Sequence, residues 1–250
     1  MSTYLRECFI VFRRQIRMNL RNPAWVLIGA FQPVLYVLLF GPLLEPLIDQ
    51  FGATNAYTFF IPGMLVQLGI FGAFFAGFSL IGEWREGVVE AERVTPATRS
   101  SLLIGRLMRD ELQLLVQALI LVALGYVLGM DASIRGMVLG VVLTLFIGGA
   151  CAAASNAFAL TVKSEDVMAP VINMVMMPVL LLSGILLPMT IGPGWLEKAS
   201  DFMPIRHVVD AVRGAFSGDY SSMFWGASWS VLLFAVAVWW GTSTFRKENA

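Results

Sequence analysis

An all-α integral membrane fold is predicted by three features of this 250-residue chain. Hydrophobic residues make up 58% of it, above the roughly 45–50% of soluble domains, and the mean hydropathy is +0.76. The apolar residues gather into six runs, 24–44, 57–82, 111–130, 136–162, 167–187 and 223–244, each near the roughly 20 residues a membrane-crossing helix needs. Charge, only 14% of the chain, is concentrated in the island EWREGVVEAERVTPATRSSLLIGR at 83–106.

Residues 1–23 read as an interfacial amphipathic helix rather than a first span. Leu5, Phe9, Phe12, Ile16 and Leu20 share one helical stripe, with Arg6, Arg13, Arg17 and Arg21 displaced about a third of a turn around the axis. A membrane surface accommodates both faces at once. Asn22-Pro23 ends the helix, because proline disfavours helix in the residue before it. Arginines scattered among the apolar residues do not make a signal peptide, so no removable leader is expected.

The span region, 24–250, carries further cues. Pro33, Pro170 and Pro178 remove backbone donors and predict kinks. Gly69, Ala73 and Gly77 recur every fourth residue, and GGACAAAS at 148–155 makes the fourth span narrow. Such stripes allow close backbone approach, either within one chain or across a dimer seam. Gln67, Gln117, Asn156 and Asn173 lie inside spans, where bonds between helices are the first expectation and contact with a transported molecule the second. The stretch 188–222 is too polar to span and too apolar for a plain loop. Two short outer helices are predicted there, about 194–202 and 204–216, with Pro204 in the first turn of the second and with Arg206–Asp210 and Asp210–Arg213 as spaced ion pairs.

Positive residues orient the chain, because loops rich in Lys and Arg stay cytoplasmic. With both termini inside, Arg6, Arg13, Arg14, Arg17, Arg21, Arg85, Arg93, Arg99, Arg106, Arg109, Lys163, Arg246 and Lys247 fall inside, against Arg135, Lys198, Arg206 and Arg213 outside. Translocating the island's eight charged residues would cost on the order of 20–28 kcal/mol on the insertion scale.

Several chemistries have no footing in the sequence. The formal net charge is zero, which gives no basic field for nucleic acid. No nucleotide-binding G-x-x-x-x-G-K-[ST] occurs, nor G-x-S-x-G or H-E-x-x-H. His207 is the only histidine, and Cys8 and Cys151 fall in different predicted helices. No metal, cofactor or catalytic set is therefore assigned.

The island reads as a short cytoplasmic helix held between two spans. Trp84, Val88 and Ala91 follow i, i+4, i+7, Glu83, Glu86, Glu90 and Arg93 cover much of the rest, and Thr95-Pro96 stops the helix before a new start at Arg99-Ser100-Ser101. An apolar edge beside register-setting charges suits reversible docking to a partner.

That island, E-W-R-E-G-V-V-E-A-E-R-V-T-P-A-T-R-S-S-L-L-I-G-R, resembles the coupling-helix segment of type-2 ATP-binding-cassette (ABC) exporter permeases of the daunorubicin-resistance-like branch, where the pattern is E-x-G-x-x-E-x-x-x-x-[ST]-P followed by a basic residue and a leucine-rich restart. The resemblance extends to SGILLPM at 183–189, PGWL at 193–196, Pro204 and Arg213. Val88-Val89-Glu90-Ala91-Glu92 departs from the Thr-Leu-Glu more usual there and leaves the subfamily open. The resemblance implies a half-transporter, in which two permease copies pair with two copies of a separate ATPase that binds ATP and Mg. On that carry-over the coupling helix at 83–96 would meet the ATPase through Glu83, Arg85, Glu86, Glu90, Glu92 and Arg93. The outer re-entrant helices at 194–216 would form a gate through Pro204, Arg206, Asp210 and Arg213. The expected cargo is a hydrophobic small molecule, drug or lipid, with polysaccharide or glycolipid as the alternative, and the expected location a bacterial inner membrane. The rivals of another class are an intramembrane enzyme and a non-transporting scaffold subunit.

Overall fold

The computed structural model describes residues 3–21, 24–51, 55–95 and 97–247, and among them every regular element is helical. The helices are α1 (Thr3–Arg21), α2 (Ala24–Leu44), α3 (Ala56–Phe74), α4 (Ala76–Arg85), α5 (Val88–Arg93), α6 (Arg99–Val127), α7 (Ile134–Val162), α8 (Glu165–Leu182), α9 (Gly194–Asp201), α10 (Pro204–Ser217) and α11 (Met223–Lys247), with 3-10 turns over Glu45–Phe51 and Met189–Ile191. Six helical segments are long and apolar enough to cross a membrane, with α3 and α4 counting as one. Asn22-Pro23 and Pro96, which mark predicted helix ends, lie outside the described residues.

Helix α7 forms the axis of the bundle, and α3, α4, α6, α10 and α11 pack around it. Its small residues explain why it takes that place. A Cβ on Gly69 would stand 3.1 Å from the Thr144 carbonyl oxygen of α7 and 3.7 Å from the Gly148 Cα. One on Gly77 would run into Met168 and Ser155. The small-residue stripe of the second span is thus occupied by the chain's own fourth span.

Two boundaries differ from the sequence reading. The second span is two helices broken at Phe75, where the Ser155 hydroxyl donates to the Phe74 carbonyl (2.7 Å) and accepts from the Gly77 amide (3.1 Å). A side chain from a neighbouring helix thereby satisfies backbone groups freed by the break, as a low-dielectric setting requires. The fifth span ends at Leu182 rather than 187, since the chain turns at Gly184 with φ +73°.

The polar span residues also part company. Asn156 donates to Ala152 of its own helix (2.9 Å) rather than to a neighbour. Gln67 is buried with its carbonyl oxygen unpaired, and Asn173 is exposed on α8. Cys8 and Cys151 are both buried free thiols.

Candidate coupling junction and outer helices

The charged island folds as a hairpin rather than one helix. After α4, Glu86 donates its amide to Gly82 (3.1 Å) and Gly87 adopts φ +75°, a left-handed conformation that glycine takes without the Cβ penalty. Helix α5 then runs back, so Val89, not the predicted Val88 and Ala91, is the apolar residue that buries. Thr95 closes α5 by donating its hydroxyl to the Glu92 carbonyl (2.7 Å). Glu7 of α1 accepts from both the amide (2.9 Å) and the hydroxyl (2.8 Å) of Thr98, just ahead of α6. Those two donors hold the Glu7 carboxyl below its ordinary pKa.

Behind this hairpin lies a buried charge network, in which Arg106 Nε and Asp110 Oδ2 find no partner among the described residues. One terminal nitrogen of Arg106, Nη2, donates to Glu83 (2.7 Å) and to Glu92 (2.8 Å). The other Glu92 oxygen meets Arg14 Nη1 at 2.8 Å, and the other Glu83 oxygen accepts from Gln15 at 3.0 Å. Arg109 donates to Gln15 Oε1 (2.9 Å) and pairs with Asp110 (2.6 Å). Arg106, only 1% exposed, is the most deeply buried of these charges. Three carboxylates face three guanidiniums, so the network is neutral, and it ties α1, α4, α5 and α6 at one point. Such groups leave water only in pairs, and removing one partner of a buried pair typically costs about 3–5 kcal/mol.

This placement divides the predicted docking residues. Glu83 and Glu92 are corrected: both are under 10% exposed and engaged inside the chain, so neither presents a carboxylate outward. Arg85 is exposed and pairs with Glu165 at the start of α8 (3.0 Å). Glu86, Glu90 and Val94 are exposed, Val94 to 87%, with Glu86 set apart from α5 by the turn at Gly87. The side chain of Arg93 lies outside the described residues. The sequence reading missed Arg14, Gln15, Arg106, Arg109 and Asp110 as partners of the island; an Arg pair at i, i+3 opening an otherwise apolar span was the available signal.

At the other end of the bundle, Pro204 opens α10 and Arg206 pairs first with Asp201 (2.6 Å), then more loosely with Asp210 (3.6 Å). Arg206 also donates to the Glu197 carbonyl (2.9 Å) and to the Ser200 hydroxyl. The predicted Asp210–Arg213 ion pair does not form. Arg213 reaches across instead, donating to Ile185 (3.0 Å) and Phe59 (3.4 Å) carbonyls with its guanidinium 4.2 Å from the Phe59 ring centre. Burial lowers the Arg213 pKa to about 10, with Asp210 pulling the other way. Burial likewise raises Asp210, opposed by Arg213 and Arg206. Beside them a cavity of about 630 Å³ is lined by Thr58, Asp131, Ser133, Asp210, Arg213 and Asp219, among others. His207 contacts the Asp201 carbonyl (3.1 Å) and stacks on Trp229, and no metal-binding cluster occurs among the described residues.

Six apolar crossings around a small-residue axis, with the charges gathered at the two ends, define a multi-pass membrane permease. The chain belongs to the ABC-2 type transporter family, whose profile matches residues 6–217. It is 28% identical over 197 residues to a daunorubicin resistance ABC transporter permease of Streptomyces coeruleorubidus, covering 77% of this chain and 68% of that protein. Similarity also extends to the proposed transport permease ycf38 of Cyanophora paradoxa, at 24% identity over 90% of this chain and 78% of that one. A proposed doxorubicin resistance ABC transporter permease of Mycobacterium tuberculosis is 24% identical over 74% of this chain and 68% of its own length. Family membership implies a partnering ABC ATPase and a membrane setting.

Proposed function

We propose that this chain is the membrane half of an ATP-driven exporter that moves a hydrophobic drug or lipid outward. A separate ATPase, which binds the ATP and Mg, docks on the exposed residues of the hairpin, Arg85, Glu86, Glu90 and Val94, and Arg93 of α5 joins them on the family resemblance. Two permease copies and two ATPases complete the transporter, in a bacterial inner membrane with both termini cytoplasmic. The carrying observation is the neutral network behind α5: Glu92 lies on the same short helix as Glu90 and is bonded through Arg106 to α6 and through Arg14 to α1. Displacement of α5 by the ATPase would therefore be passed to the spans by paired charges instead of being absorbed in a loop. The outer helices, with Pro204, Arg206, Asp210 and Arg213, would gate release. Drug cargo is supported by relatives named for daunorubicin and doxorubicin resistance and by the apolar spans.

The test reverses two exposed charges of the hairpin, Glu86→Arg with Glu90→Arg, in the permease co-expressed with its ATPase. Both side chains are exposed, so abundance should hold while ATPase co-purification and daunorubicin efflux both fall about tenfold or more. Unchanged co-purification would rule out this hairpin as the dock.

A further inference from the structure

Helix α1 turns one side to the fold, with Glu7 and Arg14 at its edge bonded to Thr98 and Glu92, and leaves two further faces uncovered. Cys8, Val11 and Gln15 bury against α6, where a Cβ on Gly105 would collide with Val11, and Asn19 donates to Gln113 (3.1 Å). The second face carries Leu5, Phe9 and Leu20, each more than half exposed. The third carries Arg6, Arg13 and Arg17, exposed and without an ion pair among the described residues, beside Arg14. A shallow groove on this side, open to its surroundings, is lined by Phe9, Ile10, Arg13, Arg14, Arg17 and Met18 of α1 and by no acidic residue.

We infer that this groove binds the phosphate of an acidic phospholipid, with the adjoining apolar face seated among the acyl chains. Guanidinium groups pair with phosphate through parallel N–H donors, and a basic stripe beside an exposed apolar one fits an anionic bilayer surface better than any soluble anion. The phosphate would share Arg14 with Glu92, whose bond to Arg14 Nη1 leaves that side chain 44% exposed. Lipid composition would therefore act one guanidinium away from the coupling network. This inference stands independently of cargo and of ATPase docking, because its readout is lipid binding by the permease alone.

Short-chain phosphatidylglycerol, phosphatidylcholine of equal acyl length, and glycerol 3-phosphate are titrated against thermal unfolding of the full chain in detergent. Phosphatidylglycerol should stabilise at concentrations at least tenfold lower than phosphatidylcholine, glycerol 3-phosphate should do nothing, and the preference should shrink at about 0.5 M salt. Arg13→Gln with Arg17→Gln should fold normally yet lose about 25-fold in phosphatidylglycerol affinity, about fivefold per arginine. Arg13→Lys with Arg17→Lys should keep most of it. Equal binding of the two lipids by the parent protein, or a preference that survives the glutamine pair, overturns the site. Stabilisation by glycerol 3-phosphate equal to that by phosphatidylglycerol overturns the lipid assignment in favour of a free phosphate. Should the glutamine pair fail to fold, the parent's lipid preference and its salt dependence decide alone.

Discussion

Each end of the bundle draws in an arginine, Arg106 buried and Arg213 half-buried, and they are held in opposite ways. Arg106 at the island sits between two carboxylates in a network whose charges cancel, linking four helices. Arg213 on α10 has no carboxylate within ion-pair distance among the described residues; two backbone carbonyls and the face of Phe59 carry it, beside a wide cavity. A buried ionic network resists any motion that separates its members, since each separation strands a charge. Carbonyls and an aromatic face are weaker holds that a neighbouring cavity lets the guanidinium exchange. The island end is thus the stiffer hold, and the α10 end the softer one.

Arg106 gives the largest expected effect. Arg106→Met takes the shared guanidinium from two buried carboxylates, leaving Glu92 only Arg14 and Glu83 only Gln15 and a distant Arg109, and should cost about 3–5 kcal/mol, seen as a large drop in thermal stability and abundance in detergent. Adding Glu83→Gln and Glu92→Gln to it should recover most of that loss. A single Arg106→Met as stable as the parent would break the contrast between the ends. Arg213→Gln removes hydrogen bonds from a charged donor and a cation–π contact, and should cost about 1–3 kcal/mol. If it proves as damaging as Arg106→Met, the outer end is no softer than the inner one.

Architecture was far more legible than wiring. Spans announce themselves by length and apolarity, which need no partner to read, so α2 and the paired outer helices stand within a residue or two of their expected ends. The break at Phe75 depends on Ser155, eighty residues away in sequence, and no local pattern marks it. Local periodicity likewise treated 83–95 as one helix, because Gly87 within it is neutral until its left-handed φ is known. Of the island's charges, Glu83, Glu92 and Arg106 enter a buried network, whereas Glu86 and Glu90 stay exposed. Which of them faced inward was settled by Arg14, Gln15 and Arg106 from other helices, so Glu83 and Glu92, chemically identical to Glu86 and Glu90, could not be separated from them in advance.

The smallest expected effect tests the soft end most finely. Reading Arg206, Asp210 and Arg213 as one charged face would have Asp210→Asn leave two arginines uncompensated. The geometry argues otherwise, since Arg206 keeps Asp201 at 2.6 Å and Arg213 keeps its carbonyls. Burial raises the Asp210 pKa above its ordinary value, against the pull of Arg213 and Arg206. Between the unfolded and folded pKa values the native chain then holds more proton than the unfolded one, so this group's contribution to stability falls as pH rises through that window. Asp210→Asn deletes the slope. The variant should match the parent near pH 4 and melt slightly higher at pH 7, while efflux per folded complex changes if Asp210 serves the gate. A lower melting temperature at pH 7 would mean that the carboxylate's attraction for Arg213 outweighs its burial, and the outer arginine would then be ionically held like the inner one.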